Sequence, residues 1–320
     1  MLDPGRRDVF DIFTFIYKVN VHVSNSLIVV VLIDCSCLDA SLNSHKSWSL
    51  LPSIDGCGET RFKRRIIGGE IAALGQFPWM ARLGYKQKRN RELKFNCGGA
   101  LVNRNTVVTA AHCITGKNKK ELKIVRLGEN NALKPIDCEG NVCAPTPQDY
   151  RPMKIIAHAN FGSRTYRNDI GLIRLKRNAQ FHDFVKPICL PRADILGSSF
   201  KLEGKVQLAG WGTINPTRIE LPSKLYHVTL ETRDLDVCRK IYTGYQIDES
   251  QFCVGVGKGK DTCRGDSGGP MMQFVNRKDT TRYFLFGVVS FGEEICGHNS
   301  AVYTNLVHYM KWLLDNISQM

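Results

Sequence analysis

Apolar residues in this chain gather in short runs closed off by glycine, proline or asparagine. Lys205-Val206-Gln207-Leu208 alternates polar and apolar positions, the pattern of a strand with one buried face. Phe284-Leu285-Phe286-Gly287-Val288-Val289 is almost continuously apolar, the pattern of a short strand covered on both sides. One late segment follows another period. Leu306, Met310, Leu313, Leu314 and Ile317 recur at helical spacing and predict an amphipathic helix near the C-terminal end. There is no internal repeat and no low-complexity tract, so the pattern predicts an all-β protein closed by one helix. A length of 320 residues allows one or two domains.

The beginning of the chain reads differently. Arg6 and Arg7 precede an apolar stretch interrupted by Asp11, Lys18 and His22, and a cleaner run extends from Leu27 to Ile33. That run is short for the apolar part of a secretion signal and far below the roughly 18 residues of a membrane span. Small residues Cys35-Ser36-Cys37 follow, as at a signal cleavage site. Residues 1–37 are therefore expected to be an atypical signal peptide, with a signal anchor as the alternative. Residues 38–65 read as a linker ending in a charged segment, Arg61-Phe62-Lys63-Arg64-Arg65, and residues 66–320 as the main domain.

Composition adds a compartment and excludes one class of partner. The formal net charge is +14, from 44 basic and 30 acidic residues. Nothing resembles a nucleic-acid-binding motif, so the excess reads first as solvated surface and second as attraction to acidic partners. Lys117, Lys119, Lys120 and Lys123 lie close in sequence to His112, as an ordinary loop or a basic exosite. Twelve cysteines point to an oxidising compartment. Their spacings match no common zinc pattern, and they do not by themselves fix a disulfide connectivity.

The chemistry concentrates in Asp261-Thr262-Cys263-Arg264-Gly265-Asp266-Ser267-Gly268-Gly269-Pro270. It places a hydroxyl among glycines, where the backbone can turn sharply and a substrate can come close. A serine is a weak nucleophile until a base takes its proton. His112, in Thr109-Ala110-Ala111-His112-Cys113, is the candidate base. Asp169, in Asn168-Asp169-Ile170-Gly171-Leu172, is a lone acid leading into an apolar run and the candidate orienter of that base. Taken alone, Asp169 could equally be a turn or capping acid.

The order His112, Asp169, Ser267 resembles the trypsin-like serine proteases of the chymotrypsin family. Ile66-Ile67-Gly68-Gly69, Gly210-Trp211-Gly212, Ser290-Phe291-Gly292 and Val302-Tyr303-Thr304 extend the resemblance from Ile66 to about Ile317. It implies two packed six-stranded antiparallel β-barrels with a C-terminal α-helix. It implies Ser267 as nucleophile, His112 as general base and acid, Asp169 as its orienter, and the N–H groups of Gly265 and Ser267 as an oxyanion hole. Ser290 should support Asp169 with a hydrogen bond and, with Gly292 and Ala301, line the substrate pocket. Asp261 at the base of that pocket implies cleavage of protein substrates after Arg or Lys. Gly292 leaves the mouth open, whereas Ala301 stands where such enzymes usually carry glycine and should narrow it.

The resemblance further implies a zymogen cut after Arg65 by another trypsin-like protease. The freed Ile66 ammonium should then pair with Asp266, so the uncut chain should be dormant. Implied disulfides join Cys57 to Cys189, Cys97 to Cys113, Cys138 to Cys143, Cys238 to Cys253, and Cys263 to Cys296. No cofactor is required; calcium is an option in the loop from Glu129 to Cys143, which contains Asn131, Asp137 and Glu139. Leu50-Leu51-Pro52, Cys57-Gly58 and the Cys138/Cys143 loop resemble the clip-domain branch of arthropods, which acts in haemolymph cascades. A complete clip carries six cysteines, but only Cys35 and Cys37 precede Cys57 here. The expected protein is thus a secreted, extracellular cascade protease of immune or developmental signalling, restrained by serpin-type inhibitors and independent of nucleic acid and membrane. A silent homologue acting as a cofactor and a digestive trypsin are the alternatives. The sequon Asn316-Ile317-Ser318 falls inside the predicted helix, where glycosylation is disfavoured.

Overall fold

The apolar runs form strands, and the strands close into two barrels. The structure, a computed structural model, describes residues 23–24, 27–28, 38–60, 70–87, 92–115, 120–213, 221–255, 265–277, 280–293 and 298–318. In the unit Met1–Ser36, β1 (Val23–Ser24) and β2 (Leu27–Ile28) form a short antiparallel pair. The remaining elements belong to the unit Cys37–Met320.

In chain order they begin with β3 (Glu70–Ile71), β4 (Met80–Gln87), β5 (Leu93–Leu101), β6 (Thr106–Thr109), α1 (Ala111–Ile114) and β7 (Lys120–Leu127). A small hairpin of β8 (Cys138–Glu139) and β9 (Val142–Cys143) follows, then β10 (Gln148–Tyr150), β11 (Pro152–Ala157) and β12 (Gly171–Leu175). The first sheet runs β10-β7-β4-β5-β6-β12-β11, antiparallel throughout. β10 and β11 are one strand interrupted at Arg151, where Pro152 supplies no N–H to the ladder. Because β10 pairs with β7 and β11 with β12, the ring closes with six strands.

The second half contains α2 (Ala193–Leu196), β13 (Lys205–Gly210), β14 (Tyr226–Arg233), α3 (Leu235–Ile241), β15 (Gln251–Val254), β16 (Pro270–Arg277), β17 (Thr280–Phe291), β18 (Ala301–Asn305) and α4 (Met310–Ile317). Its order is β13-β16-β17-β18-β15-β14-β3, and an additional β13–β14 pairing closes a ring of six with β3 added at one edge. Leu83, Leu101, Leu127 and Leu172 fill the first barrel; Val206, Leu208, Phe284 and Tyr303 fill the second. Each such side chain contributes about 1.5–3 kcal/mol by leaving water.

The C-terminal helix starts later than its apolar period. Leu306 lies in a preceding turn, where Tyr309 N–H donates to its carbonyl and Val307 N–H donates to the side chain of Asn305. From Met310 the period holds, and Met310, Leu313, Leu314 and Ile317 are buried. Residues 38–60 form short 3-10 turns that pack against the two-barrel body. Disulfides join Cys57–Cys189, Cys97–Cys113, Cys138–Cys143 and Cys238–Cys253. Among the described residues no helix is long and apolar enough to cross a membrane.

Candidate active site

Asp169 precedes β12 and is fully buried, at 0% exposure. A buried carboxylate is costly unless donors fill its lone pairs. The His112 N–H donates to Oδ1 at 2.9 Å, His112 Nδ1 meets Oδ2 at 2.7 Å, and the Ser290 hydroxyl donates to Oδ2 at 2.6 Å. Thr304 donates its hydroxyl to the Asp169 carbonyl at 2.8 Å. An imidazole whose Nδ1–H points at a carboxylate leaves Nε2 as an acceptor. His112 belongs to α1 after the first barrel's β6, while Ser290 and Thr304 belong to β17 and β18 of the second. The carboxylate is thus held from both barrels.

Ser267 approaches the same seam on the turn before β16. Its carbonyl accepts the Gly98 N–H at 2.8 Å. The Cys97–Cys113 disulfide braces the contact, with Cys113 Sγ 3.6 Å from His112 Nε2 and 3.5 Å from the Ser267 carbonyl oxygen. Ser267 and His112 are neighbours without a mutual hydrogen bond; in unliganded sites this bond is often loose. Gly265 has φ of +106°, a conformation that disfavours side chains, and a Cβ there would stand 2.8 Å from Leu221 Cδ2. Among the described residues the N–H groups of Gly265 and Ser267 donate to no protein acceptor.

Asp266 turns away from this surface. Its Oδ1 accepts the Gly212 N–H at 2.7 Å. A Cβ on Gly210 would lie 1.9 Å from Oδ1, and one on Gly212 would lie 2.2 Å from Oδ2. The two glycines of Gly210-Trp211-Gly212 therefore make the niche for this carboxylate. On the pocket side, a Cβ at Gly292 would lie 3.1 Å from Ala301 Cβ, so these positions face one another. The Ala301 carbonyl lies 3.7 Å from Cys238 Sγ, in the Cys238–Cys253 disulfide. Asp261, Cys263, Cys296, Arg65 and Ile66 lie outside the described residues.

In the loop from Glu129 to Cys143, each of the three acidic side chains accepts a hydrogen bond from the protein. Asp137 Oδ2 accepts the N–H groups of Asn130 and Asn131 at 3.0 and 2.9 Å. Glu139 Oε2 accepts the Leu74 N–H at 2.8 Å, and Glu129 Oε2 accepts from Arg126 Nη1 at 3.3 Å. Burial raises the Glu129 pKa against the pull of Arg126. Each of these three carboxylates thus meets a protein donor at one oxygen, while Glu129 Oε1 is buried and has no hydrogen-bond partner among the described residues. Among the described residues, only Cys97, His112 and Cys113 bring three ligand-type atoms together, and their two sulfurs are joined in a disulfide.

Four residues at this site have no reading from sequence: Tyr166, Asn168, Thr304 and Tyr309. The Tyr166 ring meets that of His112 edge-on, centroids 5.7 Å apart. Desolvation raises the Tyr166 pKa, and Asp169 adds to the rise. Asn168 and Tyr309 hydrogen-bond beside Asp169. Asn168 carries a signal in its place immediately before the acid, and Thr304 in its place within Val302-Tyr303-Thr304.

A buried histidine–carboxylate pair beside a Gly265-Asp266-Ser267-Gly268-Gly269 turn, at the seam of two β-barrels, is the arrangement of a serine endopeptidase. The chain belongs to the trypsin family, whose model, Trypsin, matches residues 66–313. It is 37% identical over 289 residues to "CLIP domain-containing serine protease HP8" of Bombyx mori, covering 88% of this chain and 76% of that protein. It is 36% identical over 286 residues to the Spaetzle-processing enzyme of Drosophila melanogaster, covering 84% and 70%. The crystal structure of the Drosophila Grass clip serine protease of the Toll pathway superposes with a TM-score of 0.74 at 32% identity, covering 85% of this chain and 78% of that one.

Proposed function

We propose that this chain is the zymogen of a secreted endopeptidase that cleaves after Arg or Lys in an extracellular proteolytic cascade. The observation that carries the catalytic part is the buried Asp169 carboxylate, filled by His112 and Ser290. In this reading His112 Nε2 takes the Ser267 proton as Oγ attacks the scissile carbonyl, then returns it to the leaving amine. Asp169 stabilises the intervening imidazolium, and Gly265 and Ser267 N–H groups hold the oxyanion. One such donor is typically worth about 10²–10³ in rate.

Asp261, six positions before Ser267, supplies the specificity, because a carboxylate at the pocket floor selects a guanidinium or ammonium. Cleavage after Arg65 frees the Ile66 ammonium, and its partner is Asp266, whose niche is already formed. Breaking such a buried pair costs on the order of 3–5 kcal/mol, enough to couple one cut to an ordered site. The cascade role rests on the names of relatives, one for Spaetzle processing and another, Melanization protease 1, for melanization. An enzyme released in this way suits a serpin-type inhibitor presenting Arg or Lys.

The test is controlled cleavage after Arg65, followed by hydrolysis of an Arg amide and reaction with a serine-directed inhibitor. Both should appear on cleavage, be absent from R65A, and the Arg preference should vanish in D261S. A folded, cleaved protein showing neither reaction would be a silent homologue. Full activity in R65A would remove the zymogen assignment.

A further inference from the structure

Two non-glycine residues among those described have positive φ, and both lie within three residues of Asp169: Tyr166 at +53° and Asn168 at +55°. A side chain in this region costs free energy and persists where surrounding contacts enforce it. Asn168 is held at both ends of its amide. Nδ2 donates to the Asn160 carbonyl at 2.9 Å, and Oδ1 accepts from the Tyr309 hydroxyl at 2.9 Å. Its carbonyl accepts the Ile170 N–H at 2.9 Å, closing a tight turn around Asp169.

The neighbouring residues repeat this attachment. Arg167 Nη2 reaches Asp248 Oδ2 at 2.7 Å, and Nη1 donates to Gln246 at 3.0 Å. The Tyr166 ring packs on Phe291, centroids 5.1 Å apart. Tyr309, Asp248 and Phe291 all belong to the second half of the chain, whereas Asp169 leads into a strand of the first barrel. Tyr309 is itself fixed: it is buried at 4% exposure, and its ring meets His158 edge-on at 5.6 Å.

We propose that Asn168, anchored by Tyr309, is a positioning residue that sets the angle of the Asp169 carboxylate toward His112. The inference rests on the catalytic reading of Asp169 and His112 given above. The Asn168 amide is a two-ended strut. One end is tied to the loop of the first barrel and the other to the turn before α4. The carboxylate is filled on its far side by Ser290, so loss of the strut tilts it without emptying its hydrogen bonds. A tilted carboxylate still accepts from His112 but stabilises the imidazolium less. Misplacement of about 1 Å can cost on the order of 10²-fold in rate.

Two variants separate this role from plain stability. N168G keeps the left-handed backbone at no steric cost while removing the strut. Y309F keeps the ring against His158 and removes one of the two bonds. The measurements are kcat and KM on an Arg amide, normalised to titrated active sites, and the pKa of the His112 ring by NMR. The charged and titratable groups around the two rings are Asp169 and Tyr166 at His112, and His158, Asp248, Arg167 and His308 near Tyr309.

N168G should lower kcat about 10-fold or more with KM nearly unchanged. The His112 pKa should fall, and the acid limb of the kcat/KM profile should move to lower pH with it. Y309F should lie between N168G and the parent. An unmoved His112 pKa in N168G would overturn the proposal, as would loss confined to the titrated fraction of sites. If the cleaved parent proved silent, the catalytic reading would fail, while the NMR comparison of His112 would still decide whether the strut positions Asp169.

Discussion

The methyl group of Ala301 is the smallest feature of this molecule with a large expected consequence. It is buried at 3% exposure on β18 and faces Gly292 across the pocket, at a distance where even one added carbon on the opposite side would be tight. In the proposed reading, the long side chain of Arg or Lys passes this constriction on its way to Asp261. A methylene-sized misfit in a hydrophobic wall is worth about 1–3 kcal/mol, or 10–200-fold. A301G should therefore raise kcat/KM for Arg and Lys amides and change the ratio between them, because ammonium and guanidinium fill the widened floor differently. Parallel kinetics on the two amides check this, and a variant identical to the parent in both parameters would refute the narrowing. Neighbouring backbone leaves little room for compensation, since the Ala301 carbonyl already abuts the Cys238–Cys253 disulfide.

At the scale of elements, the β3–β14 pairing holds an acid-sensitive point. His227 lies opposite Glu70, is buried at 2% exposure, and packs 5.4 Å from the Phe77 ring. Among the described residues neither ring nitrogen has a hydrogen-bond partner. Burial lowers the His227 pKa, with Glu70 pulling weakly in the other direction. A base whose folded pKa is depressed keeps its full contribution above the unfolded value of about 6.5. As pH falls below that value the unfolded chain takes up the proton first, so stability drops toward the folded pKa. A tenfold weaker hold on the proton in the folded state corresponds to about 1.4 kcal/mol of stability lost at the acid end. H227L should show a smaller loss of urea midpoint between pH 7.5 and pH 5 than the parent; equal losses would assign the acid sensitivity to other groups, such as His158 or His182. What can be read from sequence divides at this same scale. The runs at residues 205–208 and 284–289 are legible as strands because burial on a pleated sheet writes a local pattern. The short motifs around His112, Asp169 and Ser267 are legible because glycine and histidine are uncommon in such company. The Asn168–Tyr309 strut is not legible, because it joins residues 141 positions apart and follows from a backbone angle that no local pattern encodes. The delayed start of α4 is hidden as well, because the turn residue Leu306 is as buried as the helical positions that follow it.

Across the whole molecule, the segment from residue 38 to residue 60 behaves as a clasp, although its composition reads as a linker. Leu38 and Ser47 are buried, and Ser47 donates its hydroxyl to the Leu314 carbonyl of α4 at 2.6 Å. His45 meets Asp315 at 3.0 Å on the same helix. The Arg192 guanidinium sits 4.5 Å from the centroid of the Trp48 ring. Gly58 donates its N–H to Pro187 at 2.8 Å and accepts that of Tyr283 at 2.9 Å, beside the Cys57–Cys189 disulfide. These contacts lie upstream of Arg65, so a cut there divides the chain but leaves each of them in place. The physical question is whether the disulfide or the packing holds the two pieces together. A native disulfide typically contributes about 2–5 kcal/mol. The clasp opposes its loss with the burial of Leu38 and the partial burial of Trp48, where a fully buried side chain of Leu size is worth about 1.5–3 kcal/mol. A hydrogen bond such as that of Ser47 adds about 1 kcal/mol. These terms fall short of the about 8 kcal/mol of micromolar binding. The partly buried Leu42 and Leu51, the two Gly58 backbone bonds and the Arg192–Trp48 contact add to them, so packing alone should keep the fragment bound at tens of micromolar protein. In a C57S/C189S double variant cleaved after Arg65, the upstream fragment should co-elute with the protease body on gel filtration. It should dissociate only when W48A and S47A are added. Immediate separation of the C57S/C189S pieces would show that the disulfide alone retains the clasp.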